Sequence, residues 1–422
     1  MKINPLMEDL KLDLLAQIQN LKSGGHQEVN LETLSSLHFP GSKNEEWKYS
    51  PFSVSKEAKF ILKTGPGKSQ ASIPDLGLED CHLIVFLDGS WSESLSSTDE
   101  IKGLSVQAIG ELKGFTAAFE NNIFDQLNSS TASLSGLSIK VEPKAVVEKQ
   151  IVIYHINSSS ESAAWIQPRI QVQVGEGAEV SFAEIWNFEP GQPVVNNSVL
   201  EINVAKAAFV KWISLEKGTK DSSLINQTRV EIAEKCVFQH VVVSLGEGFT
   251  RNNLEIKING TEGDAHMYGL SLGSNKLHID HHTFVNHKAE NTTSNQLYKS
   301  IFSGKATGVF NGKILVDQIA QKTNAYQSSK NILLSNDARV YAKPQLEIFA
   351  DDVKCSHGAT IGQLDEEPIF YLRSRGLDEA TAKQMLVQAF ASEILMKIEN
   401  KSLNALFSNE VEAEMNRLFL SK

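Results

Sequence analysis

From residue 82 to about 363 the chain alternates apolar and polar positions with a period of two, in short runs separated by Gly, Asn, Asp and Ser. Runs such as IVIYHI (151–156), EINVAKAAFVKWISL (201–215) and CVFQHVVVSL (236–245) suit strands, whose successive side chains point to opposite faces. A small residue recurs ahead of a strand at Ala178, Ala208, Cys236 and Ala265, in steps of 30, 28 and 29 residues. A period near thirty in an all-β stretch predicts stacked coils, each burying its inward side chains only against its neighbours. A parallel β-helix fits best; a large β-sandwich is the competing arrangement.

The two ends follow another period. Leu10, Leu14, Leu15, Ile18 and Leu21 predict an amphipathic helix that breaks at Ser23-Gly24-Gly25. A mixed region follows to residue 78 and contains the segment SKNEEWKYSPF (42–52). The string Gly65-Pro66-Gly67-Lys68-Ser69 reads as a turn, because the first glycine of a phosphate loop is replaced by Leu62. After Asp378 the period becomes 3.6, with Ala382, Met385, Leu386, Ala389 and Phe390 on one stripe. Asp378 and Glu379 supply an acidic helix start, and further apolar residues run on to Leu418 and Phe419. The stripe suits either a cap on the β stack or a partner. The reading is therefore mainly β: a helical and mixed N-terminal domain over 1–78, a β-helix core over 79–365 and a helical C-terminal domain over 366–422.

The 422 residues carry 41% hydrophobic and 22% charged residues, as an ordered globular protein does, and exceed a usual single core. A net charge of -11 argues against a nucleic-acid partner. No run approaches a membrane span, and the first residues lack the basic and apolar regions of a secretory leader. Three scattered cysteines, Cys81, Cys236 and Cys355, fit a reducing cytoplasm.

Two constellations carry candidate metal chemistry. Cys355 and His357 share one face if their segment is a strand, offering sulfur and nitrogen to a single soft or borderline ion. Zinc or an iron cluster wants about four donors, and no other Cys or His lies within twenty residues. In LHIDHHTFVNH (277–287), His278, Asp280 and His282 align on one strand face with His281 on the other. That set suits a stand-alone metal-dependent hydrolase; a hydrogen-bonded structural ladder is the other reading. Asp351-Asp352 and Asp365-Glu366-Glu367 raise a weaker glycosidase idea, but adjacent strand acids face opposite sides. In FYLRSRGL, read as a strand, Arg373 and Arg375 share a face as a possible carboxylate clamp. Phe370, Tyr371 and Leu372 are expected to anchor the junction with the C-terminal helices.

FADDVKCSHGATIG, FYLRSRGL, KPQLEI (343–348) and QKTNAYQSSKNILLS, together with NEEWKY, FDQLN, GEGAEV and HIDHHTFVNH in order, closely resemble the SufB/SufD family of the SUF iron–sulfur cluster assembly system. The likeness is to its SufD branch. SufB-like chains have His-Glu-Ala where this chain has His357-Gly358-Ala359, and a cysteine where this chain has QSSKNILL. The resemblance implies a right-handed parallel β-helix flanked by helical domains, and a non-enzymatic scaffold subunit. Its implied partners are a SufB-like subunit and a SufC-like ATPase that docks on the helices after Asp378; a homodimer of the isolated chain stays open. It further implies no intrinsic metal or cofactor, but a transient iron–sulfur cluster at the interface with SufB. There His357 matches the family's proposed ligand and Cys355 lies on its strand face.

Overall fold

The computed structural model describes residues 4–22, 31–65, 73–78, 80–97, 101–109, 122–157 and 162–420. The breaks read at Ser23-Gly24-Gly25 and over most of Gly65–Ser69 lie outside them. Seven α-helices are described: α1 (Pro5–Lys22), α2 (Leu31–Ser36), α3 (Ile123–Ser129), α4 (Ala132–Ser135), α5 (Glu366–Ser374), α6 (Glu379–Leu395) and α7 (Lys401–Leu420). Between them the chain winds into a β-solenoid of about eight turns. Successive strands alternate between two sheets, of eleven and ten strands, that are parallel apart from two antiparallel pairs near their N-terminal end.

The register shows the repeat directly. Glu179, Phe209, Val237, Asp264, Thr293, Asn324 and Lys354 stand in one column, so each coil takes 27 to 31 residues. Ala178, Ala208 and Cys236 fall just before this column and are buried inside the solenoid. Ala265 departs from the expected phase: it pairs with Phe238, one place beyond the column. A second repeat lies at the corner two residues before the first six of these strands. Gly177, Ala207, Lys235, Glu262, Asn291 and Lys322 all have φ between 55° and 65°. This left-handed corner turns the chain while each N–H donates to the next coil, as from Ala207 to the Glu234 carbonyl at 2.8 Å.

Three apolar layers result. Inside the solenoid lie stacked residues such as Phe182, Trp212, Phe238, Met267 and Phe310. On the outer flank of the ten-stranded sheet, α6 and α7 bury Val387, Ala391, Ile394, Phe407 and Met415 against Ile185, Leu215, Val243 and Leu270. On the N-terminal side α1 buries Leu10, Leu14, Leu15 and Ile18 against a cluster of Phe39, Phe52, Phe124 and Trp165.

Several expectations need correction. α3 and α4 interrupt the stretch read as all-β; FDQLN forms α3 because Asn122 caps it, accepting from the Phe124 N–H at 3.0 Å. The FYLRS part of FYLRSRGL is helical, not a strand, and the chain turns at Arg375 and Gly376. Asp365 caps α5, accepting from the Glu367 N–H at 3.1 Å, and no shared face unites Arg373 with Arg375. Arg373 lies 3.6 Å from Glu379, while Arg375 stacks on Tyr371 at 5.2 Å. Phe370 and Tyr371 do not anchor a junction: both are exposed. The buried face of α6 centres on Val387, Ala391 and Ile394, and Met385 and Ala389 turn outwards. Asp378 does start this helix, accepting from the Thr381 N–H at 2.9 Å.

Candidate functional site

The solenoid ends in two edge strands, Arg339–Ile348 and Lys354–Gly362, each last in its sheet. No helix of the described residues covers this end as α6 and α7 cover the flank, and inward-phase side chains stay open there. Ile361 is 47% exposed, Ile348 39% and the adjoining Phe349 63%. An exposed apolar surface bounded by unpaired strand edges is a ready template for another chain. The two edges differ. The N–H of Arg339 donates inward to Ala306, so by the alternation of the ladder Pro344 sits in the outward phase, where its missing N–H interrupts the edge. In the other strand Lys354 donates inward to Thr323, which leaves the backbone of Cys355, His357, Ala359 and Ile361 facing outward without a proline among them.

Cys355 and His357 lie in this second strand and share its inward phase, as their spacing predicts. Cys355 pairs with the buried Ala325 and packs against the solenoid core. Burial pushes its thiol above the ordinary value, so at neutral pH it is protonated until a metal ion or a cation displaces the proton. His357 pairs with Gln327 one coil below and is exposed at the open end. Among the described residues no group of three His, Cys, Asp or Glu side chains converges to hold a metal ion. The pair offers two donors and leaves room for others to arrive from outside.

The second constellation has another task. His278, Asp280 and His282 do share the outer face of strand His278–His287, but they are engaged by the N-terminal segment. Asp280, fully buried, lies 2.8 Å from the Arg251 guanidinium and 3.0 Å from His282. Burial alone would raise its carboxyl; His282 and Arg251 outweigh it and hold the group at about 2. Arg251 stacks on Trp47 at 3.8 Å and donates to the Glu46 carbonyl, His282 meets the Glu46 carboxylate at 3.3 Å, and His278 bonds Ser50 at 2.7 Å. The NEEWKYS segment is thus pinned to the sheet, and the cluster lacks the free carboxylate a hydrolytic metal would need. Asp351 and Asp352 are exposed in a bend, not in a strand.

Sequence reasoning missed a polar seam inside the solenoid. Glu216 accepts from Ser244, Asn252 and Asn226 at 2.6, 2.8 and 2.9 Å. Burial lifts its carboxyl to about 7, against the pull of those donors. Further along the lumen His281 bonds Ser271 at 3.0 Å, Thr283 donates to Gln296 at 2.6 Å, and Ser300 donates to Asn331 at 2.6 Å. Asn331 in turn donates to the Thr360 carbonyl of the last strand at 2.9 Å. The available signal was phase: these polar residues occupy inward positions of strands whose other inward residues are apolar.

Comparison with known proteins adds the biological setting. The family model described as SUF system FeS cluster assembly, SufBD core domain, matches residues 154–390, which span most of the solenoid and the start of the C-terminal helices. The chain belongs to the SufBD family. It is 31% identical to the iron–sulfur cluster assembly protein SufD of Escherichia coli, over 92% of each chain. It is 30% identical to an iron–sulfur cluster assembly SufBD family protein of Synechocystis, over 88% of this chain and 86% of that one. A third relative is the chloroplastic protein ABCI7 of Arabidopsis thaliana, 28% identical over 92% of this chain and 85% of its own length. The expected membership and β-solenoid fold therefore hold, and this SufBD protein is a component of iron–sulfur cluster assembly. No helix of the described residues is long and apolar enough to cross a membrane.

Proposed function

We propose that this chain is a scaffold subunit, not an enzyme, whose open solenoid end joins a SufB-like partner and brings His357 to a shared site where a nascent iron–sulfur cluster is held as cargo. The observation that carries this reading is the coincidence of three features on one strand: an uninterrupted free edge, an uncovered apolar end, and an incomplete donor pair. Strand pairing across the edge supplies main-chain hydrogen bonds, and the partner supplies the remaining donors. His357 is the more available ligand because it is exposed. Cys355 is half-buried and protonated, and serves as a second donor only if the cluster draws off its proton.

A SufC-like ATPase fits the C-terminal helices. The inner faces of α6 and α7 are spent on the solenoid flank, while Phe370 and Tyr371 on α5 and Met385 and Met396 at α6 stay exposed, as residues awaiting a partner do. ATP hydrolysis is assigned to that partner. The cytoplasm is the proposed compartment.

The edge is tested by Ala359→Pro, which removes an outward N–H without breaking an internal ladder bond. Co-expressed with a SufB-like subunit, the variant is expected to keep its fold by circular dichroism and to lose the complex on size exclusion. A complex recovered in wild-type yield contradicts pairing through this edge.

A further inference from the structure

One inward column runs along the ten-stranded sheet through Trp212, His240, Met267, Gln296 and Gln327 to His357. Gln327 is 2% exposed, yet neither its amide oxygen nor its amide nitrogen has a hydrogen-bond partner. Leaving such a group buried and unpaired is destabilising, so it calls for a reason. The column does not demand a polar residue, since Met267 occupies the same phase two coils earlier, fully buried. The solenoid is also shaped around this amide: a Cβ at Gly312, on the opposite sheet, would come within 2.1 Å of the Gln327 amide nitrogen. Gln327 therefore extends across the lumen directly beneath the terminal coil. The next side chain in its column is His357, about 4.8 Å further along the strand-to-strand direction.

We infer that Gln327 is a positioning residue for His357. A histidine that ligates a metal commonly donates its other ring N–H to a neighbouring oxygen, which fixes both tautomer and ring orientation. His357 is exposed, so its ring is free to turn until the imidazole N–H donates to the unpaired Gln327 side-chain oxygen, which leaves the second ring nitrogen with its lone pair for a metal. One otherwise unexplained buried amide and one exposed imidazole thereby acquire a common purpose. The inference rests on the reading of His357 as a donor to the nascent cluster.

The test compares Gln327→Met, an apolar side chain of similar length already present in this column, with Gln327→Glu, which keeps an acceptor oxygen. The full chain is labelled with 15N-histidine, and the ring signals of His357 are assigned by their loss in His357→Ala. The wild type is expected to hold one tautomer, Gln327→Met to average the two, and Gln327→Glu to restore the wild-type pattern. In complex with the SufB-like and SufC-like subunits, acid-labile sulfide is expected to fall roughly tenfold for Gln327→Met, with assembly unchanged, and to recover for Gln327→Glu. Ring signals unaffected by Gln327→Met overturn the inference, as does a changed tautomer with undiminished sulfide when His357→Ala lowers it. If His357→Ala itself leaves the sulfide unchanged, the donor reading of His357 fails, while the ring signals still decide whether Gln327 holds the imidazole.

Discussion

Arg251 lies 3.8 Å from the centre of the Trp47 ring and donates to Asp280 at 2.8 Å. The guanidinium is almost wholly buried, so its charge is tolerated only because a carboxylate, a carbonyl and an aromatic face surround it. This contact ties residues separated by about two hundred positions, and it explains why an aspartate stands between two histidines on an outer strand face.

Arg251→Met leaves Asp280 buried beside His282 without its guanidinium partner. It is expected to cost about 3–5 kcal/mol of stability, as breaking one side of a buried ion pair does. Denaturant unfolding measures this; a loss below about 1 kcal/mol contradicts the docking role given to the cluster.

Glu216 makes stability depend on pH. Its folded pKa, about 7, is raised above the ordinary 4.5. Between those values the unfolded chain has released this proton and the folded chain retains it. The group's contribution is therefore fully present below pH 4.5 and is lost as pH rises through 7. Gln in its place cannot ionise, so Glu216→Gln is expected to flatten the decline of the melting temperature between pH 5 and pH 8 relative to wild type. Parallel profiles for the two proteins would contradict the assignment.

The repeated corner offers a stabilising substitution. Ala207 adopts φ 55°, where a Cβ is strained and glycine is not. Ala207→Gly is expected to be neutral or to stabilise by up to about 1 kcal/mol in thermal unfolding, the relief of strain offsetting the greater freedom of the unfolded chain. Marked destabilisation would show that the methyl group packs usefully at this corner.

Much of the solenoid was legible because strand alternation and the thirty-residue spacing both come from local geometry. The phase slipped at Ala265 because the corner is marked by backbone conformation, not by residue type: only Gly177 among the six left-handed positions carries the expected glycine. FYLRSRGL was misread because its apolar run is too short to separate two periods, and the Asp365 cap that decides it lies outside the run. Cys355 and His357 were placed correctly on one face by spacing alone. Gln327 was not legible, since its meaning depends on a register that only the coiled chain creates.

His357 is the donor on which the shared site depends. Purified complexes of this chain with SufB-like and SufC-like subunits, wild type and His357→Ala, should be recovered in equal amount and compared for acid-labile sulfide after cluster assembly. A severalfold lower sulfide content per complex in the variant is expected, because one donor of the shared site is missing. Equal sulfide in the two complexes contradicts the placement of the cluster at the open end of the solenoid.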